Sequence, residues 1–202
     1  MIPRLHIVTD DGIIARADFV ASAIRLSGTF HQAIALHIRA RSLPVAKLFD
    51  ITAAVCAAEA LVVVNDRADI ALAARAAGIQ VGKHGVPVAD LRRVAPPPML
   101  IGYSAHEPGE AQSARAAGAD FVLLGTIFRS ATHPAARPAG VDLIRNAAAV
   151  CDAPIIAIGG ITSEKVPALR TAGAYGVAVI RAVWDAPDPV QAAAELLKML
   201  AS

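Results

Sequence analysis

Two textures alternate along this chain. Short continuous runs of Val, Ile and Leu are separated by longer, alanine-rich stretches whose apolar residues recur with a helical period. The continuous runs predict strands near 4–9, 32–39, 60–65, 79–82, 99–104, 121–126, 154–159 and 176–181. The periodic stretches predict helices near 16–27, 43–58, 66–77, 87–95, 108–117, 141–150, 162–172 and 188–200. A strand without a polar face is buried on both sides, the condition of a parallel sheet covered by helices. One phrase marks the joints: Ala-Ala-Arg-Ala-Ala-Gly-Ile at 73–79, Ala-Arg-Ala-Ala-Gly-Ala at 114–119 and Leu-Arg-Thr-Ala-Gly-Ala at 169–174. Each reads as a helix end, a glycine suited to a left-handed cap, then a strand. Eight alternations with no ninth strand favour a closed (β/α)8 TIM barrel, one domain over 1–202, rather than an open doubly wound sheet.

Composition narrows the function classes. At 202 residues the chain suits a single domain with a sizeable core, and much of its 55% hydrophobic content is alanine, which suits helices packed closely on strands. A net charge of +2 with scattered cations argues against a nucleic-acid surface, and 4% aromatic residues leave few stacking platforms. Cys56 and Cys151 stand alone without CxxC spacing, so neither a zinc site nor a disulfide framework is indicated. No run is long enough to cross a bilayer, and Arg4, Asp10 and Asp11 fall where a signal peptide needs its apolar stretch. The expectation is a cytoplasmic protein with no membrane partner. The stretch 127–140 lacks periodicity and is polar, a candidate lid in an otherwise lean fold.

The polar residues collect at the C-terminal ends of the predicted strands, where such barrels build their sites. They are Thr9-Asp10, His37 and Arg39, Asn65-Asp66, Lys83-His84, Ser104 and His106, Thr126, and the pair Gly159-Gly160. Arg181 follows the eighth strand. Paired glycines before a helix start free backbone N–H groups for an anion, and Arg181 would reinforce them; a plain tight turn is the alternative. His37 and Arg39, two apart on a strand, share a face and could grip a phosphate together, or Arg39 could serve a structural salt bridge. Asn65-Asp66 could offer oxygens to Mg²⁺ or cap the following helix. His106 could bond a phosphate or act as acid or base. Ser130, Thr132 and His133 supply hydroxyls and an imidazole to the long loop. His6 and His31 read as structural or surface residues, and Trp184 as packing or an anchor for the last loop. The whole points to a small anionic substrate.

At five segments the chain resembles the thiamine phosphate synthase family and its TenI-like relatives. They are His37-Ile38-Arg39-Ala40-Arg41, Val64-Asn65-Asp66-Arg67-Ala68-Asp69, Gly102-Tyr103-Ser104-Ala105-His106, Gly125-Thr126-Ile127-Phe128 and Ala157-Ile158-Gly159-Gly160-Ile161. The resemblance implies a reaction joining hydroxymethylpyrimidine pyrophosphate to a thiazole phosphate, with pyrophosphate leaving under Mg²⁺. It would place Arg39 and Asn65 on pyrophosphate, Asp66 on metal, Ser104 by the pyrimidine, and Ser130 and Thr132 in a flap. Gly160 with the Ile180-Arg181 backbone would hold the thiazole phosphate. The chain departs from the synthase pattern at four places. His37 replaces a glutamine, Gly82-Lys83-His84-Gly85 lacks a second metal-binding acid, His133 replaces a lysine, and Arg181 stands where a small residue is usual.

The TenI-like branch resembles it better at His37-Ile38-Arg39, yet its tautomerase histidine corresponds to Thr126 here, leaving His106, His133 or His37 to supply a base. The reading from the sequence is therefore a TenI-like thiazole phosphate isomerase (tautomerase) with His106, His133 and Thr126 at the chemistry. The alternative is a thiamine phosphate synthase; the second alternative is a non-catalytic pathway regulator. No cofactor is implied beyond Mg²⁺ for a synthase. The expected partner is a phosphorylated thiazole, joined by a pyrimidine pyrophosphate in the synthase case, and a homodimer stays open.

Overall fold

Valine- and isoleucine-rich segments of four to six residues form all eight strands of the computed structural model, which describes residues 1–130 and 137–201. In order they are β1 (Leu5–Val8), β2 (Ile34–Ile38), β3 (Val62–Asn65), β4 (Gly78–Gly82), β5 (Leu100–Ala105), β6 (Phe121–Leu124), β7 (Ile155–Ile158) and β8 (Gly176–Val179). Every neighbour pair is parallel, and β8 returns to β1, closing the barrel. The helices between them are α1 (Asp11–Ile14), α2 (Phe19–Phe30), α3 (Val45–Ala57), α4 (Ala68–Ala73), α5 (Val88–Val94), α6 (Pro108–Ala116), α7 (Asp142–Ala148), α8 (Val166–Thr171), α9 (Arg181–Trp184) and α10 (Pro189–Ala201). The predicted (β/α)8 barrel is the observed fold. The four-residue helices α1 and α9 carry too few residues to show a period, which is why the pattern of apolar positions misses them.

The period of two along each strand sorts residues between two cores. Leu5, Ile7, Leu36, Val62, Val64, Ile79, Ile101, Val122 and Leu124 point outward and pack under the helices. Val8, Ala35, Val63, Phe121, Leu123, Ile156 and Ala178 fill the barrel interior. By the same alternation His6, His37, Asn65, Gln80 and Ser104 also project inward, so the polar groups of the interior come from β1 to β5, whereas β6 to β8 contribute apolar ones.

The three joint phrases are not equivalent. Gly118 and Gly173 do adopt left-handed φ of 104° and 101° as helix caps, whereas at the first joint the left-handed residue is Arg75 and Gly78 begins β4. There a side chain is excluded because its Cβ would lie 2.9 Å from the Leu100 carbonyl oxygen. Trp184 is buried, lies 5.3 Å from the Phe19 ring and donates Nε1–H to the Val8 carbonyl, anchoring the stretch before α10 as expected. No helix among the described residues is long and apolar enough to cross a membrane.

Candidate active site

The loops leaving β1, β2 and β3 are cross-tied at the C-terminal mouth. Thr9 is buried: its Oγ1 donates to the His37 and Arg39 carbonyls and accepts the Arg39 amide at 2.8 Å. Asp10 caps α1 through Oδ1. Asp11 accepts the Arg41 and Ser42 amides and the Ser42 hydroxyl through Oδ1, and these bonds, the Ser42 amide first, hold its carboxyl below the usual range. With the loop held in this way, Arg39 sits half-buried just past β2. Burial and then repulsion from Arg41 lower its proton affinity, while Asp66, Asp11 and Asp10 support its charge. Its guanidinium remains a cation, and among the described residues no salt bridge involves it. Asp66, at a left-handed φ of 60°, is exposed beside it.

His37 does not join Arg39. Its side chain has no exposed surface and hydrogen-bonds His6 through Nε2 at 2.8 Å, inside the barrel and below the mouth. The strand face expected to carry both does not reach Arg39, because β2 ends at Ile38 and Arg39 already belongs to the loop. The expected joint grip is therefore corrected: His37 is enclosed, and of the two only Arg39 is open to the mouth. Burial pushes the His6 pKa down to about 4 and the His37 pKa well below its usual value, the latter also through its neighbour His6, with Asn65 opposing. As a fully enclosed group His37 is also withdrawn as a proton carrier for bound substrate. Asn65 is half-buried at the end of β3, and Gln80 donates Nε2–H to Ser104 Oγ at 2.9 Å, fixing that hydroxyl at the interior wall. Gln80 was missed in the sequence because it lies inside a run read only as strand.

On the opposite side of the mouth, β6 and β7 continue their ladder past the strand ends, with Ile127 and Phe128 amides donating to Ile158 and Gly159 carbonyls at 3.0 Å. Gly160 takes φ 61°, and a Cβ there would stand 2.1 Å from the Arg129 carbonyl oxygen, so this corner admits only glycine. The cation bonded to the glycine pair is Lys165, whose Nζ donates to the Gly160 carbonyl at 2.5 Å and lies 4.7 Å from the Phe128 ring centre. Nothing in its local sequence distinguished it from other helix-start lysines. Arg181, expected beside these amides, turns its guanidinium to Asp10 at 2.9 Å and Asp185 at 3.3 Å, because those carboxylates compete for the same donors. Ile180 is half-buried as the residue capping α9.

His106 donates Nδ1–H to the carbonyl of Gly125, the residue before Thr126, since a carbonyl can only accept. Its amide is held by Glu110 at 2.8 Å. Thr126 and Ser130 are half-buried at the same edge, while Thr132 and His133 lie outside the described residues. An open groove of about 650 Å³ beside α2 is lined by Arg16, Phe19, Trp184 and Asp185, and by none of the strand-end polar residues named above.

Among the described residues no three His, Cys, Asp or Glu side chains gather as a metal cage. A Mg²⁺ ion is commonly held by one or two carboxylates plus substrate phosphates, and the exposed Asp66 fits that lean arrangement. The β4 loop offers Lys83 and His84 instead of a second acid.

The family model described as thiamine monophosphate synthase matches residues 5–183. The chain belongs to that family. It is 36% identical over 203 residues to a thiamine-phosphate synthase of Methanoculleus marisnigri, covering 98% of this chain and 95% of that one. A solved thiamine phosphate pyrophosphorylase from Pyrococcus furiosus superposes with TM-score 0.83 at 30% identity, over 98% of this chain and 95% of that chain. Other relatives are longer. A bifunctional ThiM/ThiE protein of Symbiobacterium thermophilum is 44% identical over 139 residues, 68% of this chain and 29% of its own length. Four thiamine-phosphate synthases, of Synechocystis sp., Gloeobacter violaceus and two Synechococcus strains, are matched over 40–41% of theirs.

Proposed function

We propose that this protein is a thiamine-phosphate synthase, joining a hydroxymethylpyrimidine pyrophosphate to a thiazole phosphate. The observation that carries this reading is the likeness, over 98% of the chain, to a relative that bears that name. It reverses the preference drawn from the sequence, which leaned on the missing second acid. The mouth agrees with the reading, because ionising a leaving group needs charge more than proton transfer. The C–O bond to pyrophosphate breaks with both electrons going to the leaving group, and the thiazole nitrogen lone pair then forms the new C–N bond. Arg39 supplies fixed positive charge to the leaving group, Asn65 and Ser104 contact the pyrimidine substrate, and the Gly160 corner holds the thiazole phosphate. Asp66 would hold Mg²⁺, which when bound adds charge neutralisation to the leaving pyrophosphate.

The test is to supply both substrates with Mg²⁺ and measure thiamine phosphate and pyrophosphate. Equal amounts of each are expected, and Arg39→Ala should lower kcat/KM by about 100-fold or more, the scale of one lost electrostatic donor. A protein that binds thiazole phosphate but makes no product would overturn the reading in favour of a regulator. A second reading, the tautomerase, draws on one observation: the His106 ring is held by its Nδ1–H on the carbonyl of Gly125, the residue before Thr126. It predicts isomerisation of the thiazole carboxylate that disappears in His106→Gln.

A further inference from the structure

A chain of buried polar contacts runs up the barrel interior from its floor to its mouth, and its lowest member sets the direction of every hydrogen bond above it. Pro3 contributes a carbonyl oxygen, which can only accept, and His6 Nε2 lies 3.0 Å from it. The proton of a neutral His6 is therefore on Nε2, and its Nδ1 is a bare lone pair. That lone pair faces His37 Nε2 at 2.8 Å, so His37 must donate from Nε2 and carry a lone pair on Nδ1. Both rings are enclosed, and burial pushing the His6 pKa down to about 4 rules out a shared extra proton near neutrality.

His37 Nδ1 and Asn65 Oδ1 are then two buried acceptors, and neither has a hydrogen-bond partner, although Asn65 is close enough to influence the charge of His37. Amide nitrogen and oxygen are assigned by their hydrogen bonds rather than by shape. Turning the Asn65 amide over presents Nδ2–H instead of Oδ1 to the His37 lone pair, so that a donor rather than a second acceptor faces it. It also moves Oδ1 to the position now held by Nδ2, the end of this half-buried side chain for which no hydrogen bond is found among the described residues.

We propose that His37 is a positioning residue that holds the Asn65 amide with its oxygen facing the mouth, so that Asn65 recognises a hydrogen-bond donor of the bound substrate and not a phosphate oxygen. The orientation stands on the internal geometry alone; its consequence for the pyrimidine substrate rests on the synthase reading. Under it the partner of Asn65 is an N–H group of the pyrimidine half, and pyrophosphate is left to Arg39.

The deciding measurement is NMR of the full chain carrying ¹⁵N-labelled histidine, at neutral pH. His6 and His37 should both show a protonated Nε2 and a bare Nδ1. A His37 proton on Nδ1, or an imidazolium at either ring, overturns the proposal whatever the enzyme does. Kinetics supply the second arm. His37→Leu should raise KM for the pyrimidine pyrophosphate about tenfold and leave KM for the thiazole phosphate within twofold. His37→Gln, whose carbonyl can accept from Asn65, should restore most of the loss. Equal changes in both KM values, or no rescue by glutamine, would mean a merely structural role and sink the positioning claim. If no thiamine phosphate forms even in the wild type, the synthase reading fails, while the tautomer result still decides the orientation.

Discussion

Gly160 illustrates how much one residue constrains at this mouth. Its left-handed φ of 61° costs an alanine roughly 1–3 kcal/mol, and the Arg129 carbonyl at 2.1 Å from the would-be Cβ cannot yield without moving backbone. Gly160→Ala should lower stability by at least about 2 kcal/mol and weaken thiazole phosphate binding, as read by thermal unfolding and calorimetry. Unchanged melting and affinity would remove this corner from the site. The histidine pair makes a second prediction at this scale. A buried neutral imidazole has a folded pKa below its unfolded one, here about 4 against 6.5 for His6, so the unfolded chain binds more protons between those values. Stability is full above pH 6.5 and falls as pH drops toward 4. Urea unfolding at pH 5 should give a ΔG roughly 2 kcal/mol below that at pH 7 on account of His6 alone. A flat profile across that window would contradict burial of uncharged rings.

At the scale of elements, the repeating unit is held by one arginine more than by its many surface ion pairs. Arg92, near the end of α5, donates to the carbonyls of Gly118, Ala95 and Met99 and to Asp120, whose carboxylate also accepts the Ile101 amide at 2.7 Å. It thereby ties α5 to the starts of β5 and β6. Only 19% of its side chain is exposed, so its removal strands several acceptors away from water. Arg92→Ala should cost about 2–4 kcal/mol, and Arg92→Lys should recover little because one ammonium cannot match the fork. The Arg115–Asp152 pair, 45% and 77% exposed, should cost under about 1 kcal/mol when broken, which makes it the control in the same denaturation series. Element types were legible in the sequence because the periods of two and 3.6 differ so plainly. Their ends were less so: the helix expected over 66–77 shrinks to α4, Ala68–Ala73, since Asp66 must bend into the left-handed region to leave β3.

At the scale of the molecule, closure of the barrel joins the two ends of the chain. Val177 donates to the Arg4 carbonyl, Tyr175 to the Ile2 carbonyl, and Arg4 to the Leu200 carbonyl on α10. The last helix covers that seam with Ala193, Leu196 and Leu200, all essentially buried. Leu196→Ala should therefore cost about 2–5 kcal/mol, a core penalty although it sits on a terminal helix, and guanidinium unfolding would read it as a midpoint shift at constant slope. A loss under 0.5 kcal/mol would mean that the helix is dispensable to closure.

The fold and the place of the chemistry were written in the sequence, because burial on both faces and the clustering of polar residues after each strand are local properties of the chain. Which side chains meet was not. Arg181 and Asp10 are 171 positions apart, His6 and His37 are 31 apart, and Lys165 reaches back to Gly160 only after a turn. A carboxylate captures a guanidinium, or one imidazole another, only once barrel closure sets the distance and burial removes competing water. Tertiary structure alone therefore decided that Arg39 stays available at the mouth while Arg181 is engaged and His37 is enclosed.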